Sequence, residues 1–98
     1  MIYEWDEAKR TANLRKHGLD FLSAYLVLEN DFVLILDSPR AGEARKQAFA
    51  YVVEALAVLT VVFLPGVERC RIVSFRPANR KERENYHAWL ENDFHDER

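Results

Sequence analysis
Between Lys46 and Phe75 the chain holds three runs rich in β-branched and aromatic residues, KQAFAYVV, ALAVLTVVFL and CRIVSF, parted by short breaks at Glu54 and at Pro65-Gly66-Val67-Glu68. Breaks this short join antiparallel neighbours, because a parallel pair needs a long crossover. The middle run is almost continuously apolar, which predicts a central strand with both faces buried. An earlier run, FVLILD, adds a further strand, and SPRAGEAR after it, with Pro39 and Gly42, reads as a loop.

The elements around this sheet are helical. Ile2 to Trp5 forms a short first strand, and Asp6 then caps a helix, EAKRTANLRKHG, that ends where Gly18 takes the left-handed conformation. Asp20 caps a second helix over FLSAYLVLEN, with Phe21, Ala24, Tyr25 and Leu28 at i, i+3, i+4 and i+7 as its core stripe. Asn79 with Glu82 three residues on is a capping box for a last helix, RKERENYHAWLEN, which turns Tyr86, Trp89 and Leu90 to one side; residues 91–98 are expected to fray. With 98 residues, 49% of them hydrophobic, the chain suits one domain over residues 1–98. Helices segregated from an antiparallel sheet define an α+β two-layer fold.

Several classes of function are set aside by composition. The lone Cys70 rules out an internal disulfide or a multi-cysteine metal site, and a reducing cytoplasm is the expected compartment. MIYEWDEAKR is charged by its fourth residue and does not read as a signal peptide. The longest apolar run is too short for a membrane helix. No Gly-rich phosphate loop, metal-ligand spacing or nucleophile elbow occurs, so no metal and no cofactor is expected.

Charge is uneven beneath a net value of −2. Residues 1–39 carry four basic and seven acidic side chains, residues 40–87 nine and five, and residues 88–98 one and four. A local excess of positive charge suits a small anionic target better than a long polyanion.

Three groups are candidates for chemistry. On the first helix Lys9, Asn13 and His17 share a face, and a His in the last turn is either a helix cap or a proton-transfer group. In the loop Arg40, Glu43, Arg45 and Lys46, the carboxylate can orient an arginine and leave other guanidinium donors for a phosphate. The third is RIVSFRPANRKERENY. Strand alternation puts Arg71 and Arg76 on opposite faces unless the strand bulges near its end, where Pro77 also interrupts it. Arg80, Lys81, Arg83 and Tyr86 follow on the helix.

YEWDEAKRTANLRKHGLDF, the pair Glu43 and Arg45, and RIVSFRPANRKERENY together resemble the BrnT family of bacterial toxins. That family's pattern runs F-x-W-D, a Lys three residues on, Asn, K-H-G-x-x-F, then R-I-I-S-A-R-x-A with E-R-x-x-Y close behind. The resemblance spans residues 3–86; Phe75 stands where the family has a small residue, and Pro77 follows the arginine. It implies a RelE-like two-layer domain with a short N-terminal strand, two helices, an antiparallel sheet of three to four strands and a C-terminal helix.

It also implies an endoribonuclease toxin that cleaves RNA without a metal and inhibits translation. Its partner would be a BrnA-like ribbon-helix-helix antitoxin, with operator DNA reached only through that complex and a homodimer or heterotetramer as the assembly. The catalytic residues it implies are Arg71, Arg76, His17, Tyr86, Glu43 and Arg45, with Arg83, Arg80, Lys81, Lys9 and Lys16 on RNA phosphates. A phenol near several cations is expected to have a lowered pKa, which would suit Tyr86 to proton transfer. The alternative is a noncatalytic binding module, or an inactive toxin relic, that binds an antitoxin-like DNA-binding protein.

Overall fold
The computed structural model describes residues 1–95 and, apart from the second helix, contains the expected elements in the expected order. β1 (Ile2–Glu4) is followed by α1 (Glu7–His17), a 3₁₀ turn at Phe21–Ser23 and the short α2 (Tyr25–Leu28). β2 (Leu34–Asp37), β3 (Lys46–Val52), β4 (Ala57–Leu64) and β5 (Arg69–Pro77) come next, and α3 (Arg80–His95) closes the chain. The strands form one sheet in the order β1-β5-β4-β3-β2. Every pair is antiparallel except β1 with β5, which is parallel.

Local chemistry accounts for the helix ends. The Asp6 carboxylate accepts from the Lys9 N–H at 3.0 Å, and Gly18, at φ 72°, donates its N–H to the Leu14 carbonyl. At the start of α3, Asn79 Oδ1 accepts from the Glu82 N–H at 2.8 Å while a Glu82 oxygen accepts from the Asn79 N–H at 2.9 Å. This is the reciprocal box that the spacing predicts. α3 stays helical to His95; the rest of the segment expected to fray, residues 96–98, lies outside the described residues.

The sheet separates two cores. On one face Ala48, Ala50, Leu59, Val61, Phe63, Ile72 and Phe75 pack under Phe21, Ala24 and Val27. On the other, Phe49 and Val58 pack with Ala78 and Tyr86, edged by Trp89 and Leu90. β4 lies third of five and is buried on both faces through Val58 to Val61, as its continuous apolar run requires.

Two expectations are corrected. Residues 21–30 do not form one helix but a 3₁₀ turn and a single α-turn, so the 3.6-residue stripe does not hold. Phe21 and Ala24 are buried, Val27 takes the next inward position, and Tyr25 is exposed. The alternation along β5 also breaks. The β4 register runs Val62↔Ser74 and then Phe63↔Ile72, which leaves Val73 as an extra bulged residue. Ile72 and Phe75 therefore face the same core, and Arg71, Ser74 and Arg76 fall on the opposite face.

Candidate active site
α3 covers the second sheet face over Phe49 and Val58, with Leu34 of β2 packed against the same cluster. Beside it the face carries a groove of about 200 Å³ lined by Ser38, Arg40, Arg45, Gln47, Val62, Val73, Ser74 and Arg76. Three arginines and three uncharged polar side chains thus meet in one recess. The β5 bulge brings Arg76 here, and β3 brings Gln47. The turn before β3 brings Arg40 and Arg45. In that turn Ala41 and Gly42 have φ 51° and 80°, and Arg40 and Glu43 exchange both backbone hydrogen bonds, at 3.1 and 2.9 Å. Two successive positive φ values are the signature of the tight type I′ connection.

A carboxylate grips each of two arginines. Glu43 Oε1 accepts from Arg45 Nε at 2.7 Å, with Arg45 Nη2 also 2.7 Å away. Arg76 donates Nη1 and Nη2 to the two Glu82 oxygens at 2.8 and 2.9 Å, and Nη1 also reaches the Pro77 carbonyl at 3.2 Å. The Arg76 guanidinium, then the Asn79 N–H and the Gln47 side chain, hold the Glu82 carboxyl below its ordinary range against the opposing effect of burial. Glu82 therefore ties the groove to the first turn of α3.

α1 lies along the outer edge of β5. β1 pairs with β5 only as far as Arg71, so the edge beyond it lacks a strand partner. Asn13 takes that place: its Nδ2 donates to the Phe75 carbonyl at 2.7 Å and its Oδ1 accepts from the Phe75 N–H at 3.1 Å. One turn on, His17 is half-buried at the end of α1. Burial first, then the charges of Lys16 and Arg76, push its pKa below the ordinary histidine value. The imidazole is thus kept neutral near Arg76, although its place at a helix C-terminus would by itself favour the cation.

The remaining sequence candidates are dispersed. Arg71 is exposed farther along the groove face of β5. Lys9 and Lys16 are exposed on α1, Lys16 acting on His17 through its charge. Arg80 is exposed and pairs with Glu84 at 3.3 Å, and Lys81 is exposed. Arg83 donates to the Ala78 carbonyl at 2.9 Å and, with Arg80, lines a separate surface recess along α3. Arg83 and Tyr86 do not line the Arg76 groove.

Tyr86 is 1% exposed. Its hydroxyl donates to the Phe32 carbonyl at 2.6 Å and accepts from the Tyr51 N–H at 3.3 Å. Burial raises its pKa, opposite to the lowering expected from nearby cations. The phenol borders a larger apolar basin of about 720 Å³ with Phe32, Tyr51, Val53 and Leu90.

Spacing in the sequence marks Glu82 only as a helix cap. Its grip on Arg76 depends on how sharply the chain turns between β5 and α3, and no spacing rule signals that. Among the described residues no helix is long and apolar enough to cross a membrane, and no group of three or more His, Cys, Asp or Glu side chains is placed to hold a metal ion.

The sheet thus carries the 3₁₀ turn and α2 over one face and α3 over part of the other, where three arginines are recessed beside the helix. Residues 5–82 match the family model described as the ribonuclease toxin, BrnT, of type II toxin-antitoxin systems, which places the protein in the class of ribonuclease toxins. The chain belongs to the BrnT family, and as a toxin of that type it has an antitoxin protein as its partner. A search of curated proteins gives no match. The matched span contains His17, Arg45, Arg76 and Glu82, and ends before Tyr86.

Proposed function
We propose that this toxin acts in the cytoplasm as a metal-independent endoribonuclease, inhibiting translation by cutting RNA at the Arg76 groove. One observation carries the reading: the β5 bulge puts Arg76 on the face where Arg40 and Arg45 already converge. Cleavage needs a ribose 2′-OH to attack the adjacent phosphorus while the 5′-oxygen leaves with a proton. Negative charge grows on the phosphorane, and preorganised cations stabilise it more than they stabilise the diester.

Arg76 and Arg45 are the cations at that centre, and Arg40 and the exposed Arg71 extend the positive surface toward flanking phosphates. Neutral His17 takes the 2′-OH proton, since an imidazole with a depressed pKa is in its basic form at neutral pH, and solvent water supplies the proton to the leaving 5′-oxygen. Lys9 and Lys16 on α1 and Arg80, Lys81 and Arg83 on α3 lie outside the groove and contribute RNA contacts at most. Tyr86 holds the core rather than moving protons. A BrnA-like ribbon-helix-helix antitoxin would neutralise the toxin by covering the same cationic face, with DNA bound through the antitoxin.

The deciding experiment uses antitoxin-free protein with RNA in EDTA. Wild type should cut, and Arg76→Gln should lose at least 100-fold in rate with its circular dichroism unchanged. Intact RNA with the wild type would overturn the reading.

A further inference from the structure
We infer that Glu82 is the positioning residue of the site, fixing Arg76 so that one defined edge of its guanidinium is presented to the scissile phosphate. The inference rests on the reading of the groove as the cleavage site. A guanidinium carries five N–H donors in a rigid plane, one on Nε and two on each terminal nitrogen. Three of those of Arg76 are taken: Nη1 serves a Glu82 oxygen and the Pro77 carbonyl, and Nη2 serves the other Glu82 oxygen. Left over are the Nε–H and the second Nη2–H, which lie side by side along one edge. That pair is the spacing at which arginine grips two oxygens of a phosphate.

Glu82 is itself rigidly placed. It accepts from the Asn79 N–H and from the Gln47 side chain, and its own N–H is held by Asn79. The orientation of Arg76 is therefore fixed by the first turn of α3 and by β3 before any substrate arrives. Arg45 is held in the complementary way. Glu43 takes its Nε and Nη2 side, which leaves the terminal Nη1 and Nη2 edge. Two arginines, each with one edge spent on a carboxylate and a different edge open, define where a phosphate can sit. Preorganisation of this kind acts on the transition state, because free guanidinium rotamers would otherwise be frozen during the reaction.

A double-mutant cycle tests this, with cleavage of a short mixed-sequence RNA oligonucleotide as readout. Glu82→Gln keeps a capping residue at the third helical position but cannot form the charged fork. It should lower kcat at least 10-fold, change KM less than 3-fold and leave the unfolding midpoint near that of the wild type. In the Arg76→Gln background the same change should have no further effect. Glu82→Asp, too short to reach both donors, should behave as Glu82→Gln does and serves if the latter folds poorly.

A folded Glu82→Gln with wild-type kcat, or one that adds its full loss to that of Arg76→Gln, would overturn the inference, as would a gain in rate. If Arg76→Gln itself cuts at the wild-type rate, it is the assignment of the groove that fails.

Discussion

The Asn13 side chain bonds both backbone groups of Phe75, at 2.7 and 3.1 Å, and so completes the edge of β5 where β1 has ended. The same amide also donates to the Leu19 carbonyl at 3.0 Å, joining helix, corner and sheet. Asn13→Ala leaves the Phe75 N–H and carbonyl unpaired in a half-buried place, and should cost about 2 kcal/mol of stability by urea unfolding. Because Phe75 directly precedes Arg76, cleavage should fall as well, even at temperatures where the variant is fully folded.

Tyr86 separates a structural role from a chemical one. Removing its hydroxyl deletes the bonds to the Phe32 carbonyl and from the Tyr51 N–H, so Tyr86→Phe should lose about 1 kcal/mol. RNA cleavage by the folded variant should remain within 3-fold of the wild type, since a buried phenol with a raised pKa is poorly suited to proton transfer. A 100-fold loss in rate without unfolding would make Tyr86 catalytic.

His17 gives the site a pH signature. In a proton NMR titration its midpoint should lie below the ordinary value of about 6.5. Lys16→Gln and Arg76→Gln should each raise it, the first more than the second. The sign for stability follows from linkage: the unfolded chain binds the His17 proton more readily than the folded one. This contribution is fully present above the unfolded pKa and is lost as pH falls from there through the lower, folded pKa. Cleavage should rise with pH through the folded pKa and level off before neutrality.

Ala41 sits at φ 51°, where an L-residue with a β-carbon is strained. Ala41→Asn creates the Asn-Gly pair that type I′ turns favour, and should stabilise the protein by about 1 kcal/mol. For a domain of this size that is a rise in melting temperature of roughly 4–8 °C. Cleavage should be unchanged, because Arg40 and Glu43 already face each other across the turn.

Capping chemistry and hydrophobic period were legible in the sequence wherever the interaction was local. Asp6, Gly18 and the Asn79–Glu82 box were placed by spacing alone, and the continuous apolar run predicted that β4 would be central. Where the element was too short to establish a period, as over residues 21–30, the pattern misassigned Tyr25, because a 3₁₀ turn rotates each side chain by more than an α-helix does.

Composition, hydrophobic period and local motifs define an α+β domain with a basic middle segment and a motif set shared with the BrnT toxins. Which charges lie side by side follows from the way the elements pack. A bulge at Val73 moved Arg76 to the face of Arg45, and the corner at Pro77 brought Glu82 onto Arg76, while α3 carried Arg83 and Tyr86 away. Each of these depends on strand register and chain direction over many residues, and a one-residue change in register sends a side chain through to the other side of the sheet.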